Sequence, residues 1–423
     1  MEYYLGIDFG TSGARAIAID REKNIVVTKQ ANFTQTNTDN LSQTWSDTLF
    51  ELIAEIPISI RQNIKAIAIN GTSSTVLLCD DLGKPITAPL LYNDSRGKEV
   101  LDKVKAIAPD NHVVISATSS LAKLLWWQQQ PYFRQAKYLL HQADWLSYLL
   151  HGKLGVSDYH NALKLGYDVD NLCYPDWLQN LDCSHLYPGV LAPGEAIGNI
   201  TPENKDRFNF PADCVVKAGT TDSIAAFLAS GASQPGEAVT SLGSTLVLKL
   251  LSKTKVTASN YGIYSHRLGN LWLTGGASNT GGAVLRHFFS NQQLQTLSTQ
   301  IDPDIKSPLK YYPLLKPGDR FPVNDPNLAP QLSPRPSNEA EFLHGLLESM
   351  SRIEASGYQK LQELGADRLT QVYTAGGGAK NPTWQKIRQR NLETSVSIAN
   401  NTEAAFGTAL LAMNDRQWKI AVS

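Results

Sequence analysis

The N-terminal segment 4–15 constrains the fold most, because an apolar strand there ends in an acid and small residues follow at once. Asp8 stands where the apolar run Leu5–Ile7 ends, and Gly10–Gly13 offers backbone N–H groups and hydroxyls to an anion. An acid beside a phosphate-binding turn predicts a Mg²⁺ site. A tight hairpin between two buried strands explains the same residues without a ligand, since the apolar run Ala16–Ile19 follows directly. The pattern alone leaves both interpretations open.

Composition excludes several classes of protein. The chain has 423 residues, a length typical of two or three domains, and its 38 Lys plus Arg balance 39 Asp plus Glu. This net charge of -1 gives no electrostatic reason to expect nucleic acid or a membrane as a partner. Four widely spaced cysteines without CxxC pairing indicate neither a disulfide framework nor a zinc site. No apolar run approaches the ~18–20 residues of a membrane span, and a first strand by Tyr3 leaves no room for a signal peptide. We therefore expect a cytoplasmic metabolic enzyme.

The first half of the chain alternates strand and helix signals. Alternating apolar residues predict strands over 3–7, 15–20, 25–29, 64–70 and 76–79. Helical spacing of apolar residues predicts helices over 45–56, 119–129, 142–150 and 176–181. The strand over 64–70 ends in a second small-residue turn, Gly71–Thr75. Strand followed by small-residue turn is therefore a repeated pattern.

The second half starts the same pattern again. A strand over 214–218 is followed by a predicted turn at Gly219–Asp222 and a helix over 223–229. A strand–turn–strand unit then repeats the N-terminal pattern without its acid, over residues 238–241, 242–245 and 246–251. These repeats predict a duplicated design.

The C-terminal third combines an irregular stretch with a glycine run. The proline-rich segment 311–336 predicts an irregular connection, and helices are expected to resume by Glu339. The strand Val372–Ala375 then enters the turn Gly376–Pro382, whose bare backbone lets a flat ligand such as a nucleotide lie against it. A simple strand-to-helix link is the alternative. A helix over 403–413 follows.

Four of these turns resemble, in this order, those of the FGGY family of carbohydrate kinases, and the resemblance covers nearly the whole chain. The four are Asp8–Thr11, Gly219–Asp222, Ser241–Thr245 and Gly376–Asn381. Tyr92 stands where the family usually has Trp, and Asp319 where it usually has Glu. Further segments similar to family motifs are Leu90–Arg96, Ser120–Trp126, Ser157–Tyr159, Pro193–Glu195 and Gly318–Pro326.

The resemblance implies an α/β protein with the two-domain actin and hexokinase type of ATPase fold, which is ribonuclease H-like and has a central cleft. It implies an N-terminal sugar-binding domain over residues 1–228, on which residues 402–423 pack back. Residues 229–401 would form a C-terminal nucleotide-binding domain. Closure of the cleft would exclude water during transfer.

ATP- and Mg²⁺-dependent phosphorylation of a sugar hydroxyl is the activity that the resemblance implies. Asp222 matches the family's catalytic base, which aligns the hydroxyl and takes its proton. A helix N-cap is a compatible structural role for Asp222. Asp8 resembles the metal-associated acid of the family, and it is a candidate for catalysis, metal binding and substrate contact alike.

The resemblance also implies a set of ATP contacts. Trp384 stands one helical turn beyond the glycine run, where its indole would cover adenine, with core packing as the alternative. Arg15 lies inside a strand and is better explained as a structural or secondary phosphate contact than as a catalyst. The ATP contacts by motif are Thr11, Ser12, Gly243, Ser244, Thr245, Gly376, Gly377 and Asn381.

The turn Gly71–Thr75 is the segment that indicates which sugar such a kinase would bind. Xylulose kinases usually show Gly-Gln-Met-His there, whereas this chain has two short hydroxyls, Ser73 and Ser74. The chain also resembles a compact cyanobacterial and plant subgroup, which favours D-ribulose over D-xylulose. Asp8, Asp222 and Asp94 complete the candidate sugar contacts, although Asp94 can instead brace its turn with the following arginine.

Two other classes of protein share these features in part. An actin-like nucleotide switch or filament would share the phosphate turns but not Leu90–Arg96 or Ser120–Trp126. A catalytically weak sugar sensor is disfavoured by the presence of Asp8 and Asp222. We expect a monomer or a homodimer with a small-molecule pentulose as its partner.

Overall fold

Residues 1–33 and 40–413 are described in this computed structural model, and they divide into two compact units. The first unit comprises Met1–Ala229 together with the segment that begins at Glu403. The second unit is the intervening Ser230–Thr402. Each unit has its own sheet and its own apolar core.

Runs of Val, Ile, Leu and Ala form the strands of the first unit. Leu5, Ile7 and Phe9 of the first strand are completely buried, which explains its nearly continuous apolar sequence. The strands are β1 (Tyr3–Phe9), β2 (Gly13–Ile19), β3 (Ile25–Asn32), β4 (Ile64–Gly71), β5 (Val76–Cys79), β6 (Tyr138–His141), β7 (Val156–Asp158), β8 (Gly189–Leu191), β9 (Ala196–Asn199) and β10 (Val215–Thr221).

Six of these strands form one sheet in the order β3-β2-β1-β4-β10-β9. The meander predicted for the first three strands is confirmed, since β1, β2 and β3 pair antiparallel. β1, β4 and β10 run parallel, so Asp8, Asn70 and Thr220 lie side by side on adjacent strands. The carboxyl ends of these three strands meet at one edge of the sheet, where α/β proteins bind ligands.

Helices cover the sheet of the first unit and build a second cluster beside it. Trp45 and Leu49 pack into the core of the sheet, while Leu121 and Trp127 belong to the neighbouring cluster. The four helices predicted for the first half are confirmed. The helices are α1 (Leu41–Ala54), α2 (Ile58–Arg61), α3 (Leu101–Ile107), α4 (Ser120–Trp127), α5 (Gln142–His151), α6 (Tyr159–Ala162), α7 (Asp176–Gln179), α8 (Pro202–Phe208) and α9 (Asp222–Ala229).

The predicted turn at Gly219–Asp222 is wrong. Gly219 to Thr221 continue β10, and α9 begins at Asp222 itself. A Cβ at Gly219 would lie 1.9 Å from the carbonyl oxygen of Ile69, so glycine lets β10 approach β4 at an irregular point of their pairing. The strand therefore runs directly into the helix, and Asp222 sits at the junction.

The second unit repeats the strand arrangement of the first. Its sheet has the order β13-β14-β12-β11-β15-β16, with β14, β12 and β11 antiparallel and β11, β15 and β16 parallel. The predicted duplication is confirmed at the level of topology. The strands are β11 (Glu237–Leu242), β12 (Leu246–Ser252), β13 (His266–Leu268), β14 (Leu271–Ser278), β15 (Gln371–Ala375) and β16 (Ser395–Ile398).

Four helices pack on this second sheet within the described residues. The segment 311–336 is irregular, as predicted, and the buried Asp319 anchors it by accepting hydrogen bonds from the Ser278 hydroxyl at 2.7 Å and the Tyr312 hydroxyl at 2.6 Å. The helices are α10 (Gly282–Phe288), α11 (Asn291–Ser298), α12 (Glu339–Glu363) and α13 (Pro382–Leu392).

The last described helix, α14 (Ala404–Met413), packs within the first unit. A Cβ at Gly6 would lie 2.1 Å from the backbone N of Ala409, and one at Gly407 would lie 1.9 Å from the carbonyl oxygen of Ala225. Small residues thus let α14 approach β1 and α9 closely. Residues 414–423, which the sequence interpretation joined to this returning segment, lie outside the described residues.

No helix within residues 1–33 and 40–413 combines the length and the apolar character of a membrane span.

Candidate active site

Two carboxylates lie at the carboxyl edge of the first sheet. Asp8 is the next-to-last residue of β1, and Asp222 follows β10 as the first residue of α9. Only β4 separates the two strands, so two spacings of about 4.8 Å place β1 and β10 roughly 10 Å apart. The negative charge of Asp222 raises the pKa of Asp8, so the two groups interact electrostatically. The structure thus brings together the two acids that the sequence singled out.

Asp8 lies in a setting that favours a bound cation. Burial, with a smaller contribution from Asp222, raises the pKa of Asp8 from 3.8 to about 6. The charge of Arg15 and a hydrogen bond from Asn70 oppose this rise. The Oδ1 atom of Asp8 is buried and has no hydrogen-bond partner. A buried, unpaired carboxylate oxygen is costly, and a cation beside it would remove that cost.

The donor set fits a magnesium ion that is bound together with nucleotide phosphates. Within residues 1–33 and 40–413, no group of three or more His, Cys, Asp or Glu side chains is arranged to hold a metal ion. Mg²⁺ at phosphoryl-transfer sites is usually held by one or two carboxylates, with phosphates and waters completing the octahedron. Asp8 meets this requirement, and the nearby Asp222 adds negative charge.

Asp222 is partly exposed at the N-terminus of α9. Its Oδ1 accepts a 2.7 Å hydrogen bond from the N–H of Ser223, and the helix N-terminus favours a carboxylate at this point. This hydrogen bond comes from the next residue and not from the second or third, as in an N-cap, so the capping role of Asp222 stays a prediction. Beside it, the Thr220 hydroxyl lies 2.7 Å from Nδ1 of His160, and the buried Thr221 hydroxyl has no partner.

The N-terminal turn is the tight hairpin that one interpretation of its sequence predicted, and phosphate binding there stays a prediction. Gly10 donates a 3.0 Å hydrogen bond to the carbonyl of Gly13, so β1 and β2 form a tight hairpin. Thr11 and Ser12 are exposed at its tip, where they are accessible to a phosphate. Arg15 pairs with Glu403 and donates a 2.9 Å hydrogen bond to Gln30, which gives it structural partners.

The turn Gly71–Thr75 follows β4 at the same edge of the sheet. Ser73 is partly exposed, whereas Ser74 is 1% exposed and its hydroxyl has no partner. Ser74 also has a φ of 64°, in the left-handed region that side-chain-bearing residues rarely adopt. Contacts from elsewhere in the unit must hold this conformation, and one is a 2.9 Å hydrogen bond from the N–H of Thr72 to Gln142.

Asp94 braces its own turn. It accepts hydrogen bonds from the backbone N–H of Arg96 at 3.0 Å and from its Nε at 3.1 Å. The guanidinium of Arg96 lies 5.1 Å from the ring centroid of Trp126, which limits its freedom. The bracing role left open by the sequence is therefore present, while the carboxylate keeps lone pairs for a sugar hydroxyl.

The second unit places its two candidate nucleotide turns side by side. Gly376 has a φ of 83°, and a Cβ there would lie 2.7 Å from the carbonyl oxygen of Leu242. Gly282 donates a 2.9 Å hydrogen bond to the carbonyl of Gly243, and Arg286 donates one of 2.9 Å to the Ser244 hydroxyl. These contacts fix the Gly243–Thr245 turn against α10.

Two glycines of the run after β15 differ in what surrounds them. A Cβ at Gly378 would lie 2.7 Å from both Leu242 and Trp384, so this position is closed. At Gly377 nothing lies within 4 Å of a Cβ, so its backbone faces open space. An exposed, bare backbone of this kind suits the flat face of a nucleotide.

The surroundings of Trp384 are those of a core residue. It is 2% exposed, and its Nε1–H donates a 3.1 Å hydrogen bond to the Ser351 hydroxyl. Asn381 caps α13 by accepting from the N–H of Trp384 at 3.0 Å, and its Nδ2 donates to Ser298 at 2.9 Å. Of the two roles that the sequence left open for Trp384, these contacts favour packing beneath the glycine run.

Sequence reasoning gave no role in the site to two buried polar residues near these turns. Asn70 lies beside Asp8 and donates a 2.6 Å hydrogen bond to the Thr408 hydroxyl of α14. Lys123 is completely buried in α4 and donates to the carbonyls of Ser74 and Leu91. A polar residue at the end of an apolar strand, and a lone lysine in an apolar helix, were the available signals.

Comparison with known families identifies the chain. The N-terminal domain profile of the FGGY family of carbohydrate kinases matches residues 3–229, and the C-terminal domain profile matches residues 238–414. The chain belongs to this family. The actin-like, two-sheet α/β ATPase fold is confirmed by solved structures of the family, and the protein is an ATP-dependent carbohydrate kinase.

Individual relatives of this kinase are distant. A xylulose kinase from Staphylococcus epidermidis is 21% identical over 99% of this chain and 88% of its own length. An autoinducer-2 kinase from Yersinia enterocolitica is 26% identical over 82% of this chain and 72% of its own. The solved xylulose kinase from Rhodospirillum rubrum superposes with a TM-score of 0.82 at 19% identity, covering 97% of this chain and 90% of that one.

Proposed function

We propose that this kinase transfers the γ-phosphoryl group of ATP to the terminal 5-hydroxyl of a ketopentose, with D-ribulose preferred over D-xylulose. The observation that carries the proposal is the pair Asp8 and Asp222 at one sheet edge, next to the turn Gly71–Thr75. Relatives named xylulose kinase support a pentulose. D-ribulose is favoured because Ser73 and Ser74 offer short hydroxyls where a larger side chain would restrict the sugar.

Asp222 is the proposed general base. Its carboxylate accepts the proton of the sugar hydroxyl as the oxygen of that hydroxyl forms a bond to the γ-phosphorus of ATP, and the bond to ADP breaks. Partial exposure and the N-terminus of α9 keep the carboxylate available for this proton. The hydrogen bond from the N–H of Ser223 orients this carboxylate.

Asp8 is the proposed acid of the metal site. A bound Mg²⁺ would neutralise charge on the β- and γ-phosphates. The buried Oδ1 of Asp8 would face the cation or one of its waters, which pairs the oxygen that otherwise has no partner. Because a cation favours the carboxylate form, its binding would lower the pKa of Asp8 from about 6.

ATP contacts are proposed for the exposed turns. In the first unit these are Thr11 and Ser12, with hydroxyls and backbone N–H groups for a phosphate. In the second unit the backbone of Gly377 is the open surface for adenosine. The remaining proposed members of this set are Gly243, Ser244, Thr245, Gly376 and Asn381, with Trp384 supporting the glycine run from the core.

The proposal is tested by ADP release from the purified protein with ATP and Mg²⁺. The sugars are D-ribulose, D-xylulose, L-ribulose and glycerol, with a reaction that contains no sugar, and each is repeated with Asp222→Asn. We expect fastest turnover with D-ribulose and a loss of about 10³-fold in the variant. Faster turnover with D-xylulose would make that sugar the substrate. Equal slow hydrolysis with and without every sugar would contradict the pentulose assignment and support the sensor or switch alternative.

A further inference from the structure

Lys123 makes two hydrogen bonds that join separate segments of the chain. It lies on α4, completely buried, and its Nζ donates to the Ser74 carbonyl at 2.7 Å and to the Leu91 carbonyl at 2.6 Å. Ser74 belongs to the turn Gly71–Thr75, and Leu91 belongs to the segment Leu90–Arg96 that carries Asp94. One ammonium group therefore bridges the two segments that hold the candidate sugar contacts of this unit.

We propose that Lys123 is a positioning residue for the sugar, which holds these two segments at the spacing that presents Ser73 and Asp94 to the substrate hydroxyls. The inference rests on the proposed function, because those two residues are sugar contacts only if the function is correct. Lys123 itself touches neither the sugar nor the phosphoryl group in this role.

Both segments need an external support, and Lys123 is placed to supply it. The left-handed φ of 64° at Ser74 is unfavourable for a residue with a side chain, and the bond from Lys123 is made to the carbonyl of that same residue. The Leu91 carbonyl also accepts a 2.9 Å hydrogen bond from the N–H of Asp94, so Lys123 contacts the turn that orients Asp94.

The other contacts between the segments do not fix the same atoms. The Thr75 hydroxyl accepts a 2.9 Å hydrogen bond from the N–H of Tyr92, and Val76 pairs with Leu90 as an isolated bridge. These bonds join the segments just beyond Ser74 and on either side of Leu91. Without Lys123 the carbonyls of Ser74 and Leu91 would lose a buried donor, and both segments would relax around it.

Burying a lysine ammonium group at this position costs desolvation free energy. Burial lowers the pKa of Lys123 from 10.5, Asp94 opposes this shift and the positive charge of Lys164 adds to it, which leaves the pKa at about 7. An apolar side chain of similar length would avoid that cost. Its presence is therefore better explained by the geometry it imposes on the two carbonyls than by a gain in stability.

The test compares Lys123→Met, which keeps length but removes the donors, with Lys123→Arg, which keeps N–H donors. Asn204→Leu is the matched control. Asn204 lies on α8, is also buried, and donates a 2.7 Å hydrogen bond to the backbone carbonyl of Leu149. The measurements are KM for ATP, KM for the sugar and the ratio of kcat/KM between D-ribulose and D-xylulose, well below each melting temperature.

We expect Lys123→Met to raise the sugar KM by about tenfold or more and to change the sugar ratio, while the ATP KM stays within about twofold. Lys123→Arg should raise the sugar KM by only about two- to threefold, because it keeps N–H donors but not the position of the ammonium group, and Asn204→Leu should lower only the melting temperature. If Lys123→Met does not fold, a selective but smaller rise of the sugar KM in Lys123→Arg supports the proposal.

Equal rises in both KM values, or an unchanged sugar KM and ratio in the folded Lys123 variants, would overturn the positioning role. A selective rise of the sugar KM in Asn204→Leu would do the same. If the wild type phosphorylates glycerol and no pentulose, the proposed substrate is wrong, and the KM comparison for Lys123 is made with glycerol.

Discussion

The sheets of the two units share five strands in the same order, but two sites of buried polar groups differ in how they are paired. At the carboxyl edge of the first sheet, polar atoms of Asp8, Asn70 and Thr221 are buried and unpaired. Beside the second sheet, Glu354 on α12 and Arg388 on α13 are each 1% exposed and form two hydrogen bonds of 2.7 Å with one another. The buried polar atoms at the first site therefore carry a desolvation cost, whereas the two buried charges at the second site are paired with each other.

The difference indicates that one site holds the fold together, whereas the other is available to a ligand. The Glu354–Arg388 pair also bonds to the hydroxyls of Thr240 on β11 and Thr374 on β15, so it ties α12 and α13 to the two strands that lead into the nucleotide turns. Unpaired groups at the first edge are instead available to a ligand and cost stability until it binds. This contrast would be established if removing a charge from the Glu354–Arg388 pair lowers stability, while removing the charge of Asp8 raises it.

The largest loss of stability is expected when the Glu354–Arg388 pair of the second unit is broken. Glu354→Gln or Arg388→Met should lower the free energy of unfolding by about 3–5 kcal/mol, because each leaves a buried charge without its partner. Thermal or denaturant unfolding measures this. Replacing both residues by apolar ones should cost less than the two single changes together, and full additivity would mean that the pair is not a coupled unit.

Charge removal in the first sheet should act in the opposite direction. The carboxylate of Asp8 has a folded pKa of about 6 against 3.8, so the protein binds a proton more readily when folded. Stability from this group is fully present below pH 3.8 and is lost as pH rises through about 6. At about 1.4 kcal/mol per pH unit, the cost above pH 7 is at most about 3 kcal/mol.

Asp8→Asn should therefore unfold at a higher temperature than the wild type at pH 8 while losing most of its turnover. At pH 3.5 the two proteins should have similar stability. Unfolding curves at both pH values without nucleotide give the comparison, and Asp20→Asn, in an exposed turn, is the control for a general effect of charge. A destabilised Asp8→Asn at pH 8 would contradict the unpaired state of this acid.

A variant of Trp384 distinguishes between two roles for this side chain, packing beneath the nucleotide turns and direct contact with ATP. Trp384→Phe keeps an aromatic ring but loses the bond to Ser351, so we expect a loss of about 1–2 kcal/mol in stability and an ATP KM within about twofold. Melting temperature and ATP kinetics measured on one preparation test this. A tenfold higher ATP KM at unchanged stability would instead support stacking on adenine.

The smallest effects are expected in the turn that follows β4. Ser73→Ala should raise the sugar KM by about three- to tenfold, because Ser73 is partly exposed and would lose one hydrogen bond. Ser74→Ala should change the sugar KM less, since the Ser74 side chain is shielded and its hydroxyl has no partner. The reverse order would mean that the turn rearranges when sugar binds.

The sequence by itself determined the repeated strand–turn pattern, the identity of the two acids and the irregular segment 311–336. These features are local: apolar alternation marks a strand, glycine and small residues mark a turn, and proline excludes regular structure. Each acid was identified beside a predicted strand, whereas their meeting at one sheet edge depends on the parallel pairing of β1, β4 and β10, which the structure shows.

Only the tertiary structure decided which polar groups are paired and at what cost. The sequence assigned a turn to Gly219, but in the structure, where Gly219 packs against Ile69, the strand continues through Thr221. Likewise, the links from Lys123 to Ser74 and from Asn70 to Thr408 join residues 49 and 338 positions apart. No local pattern encodes such pairs, because burial and hydrogen bonding depend on segments that only folding brings together.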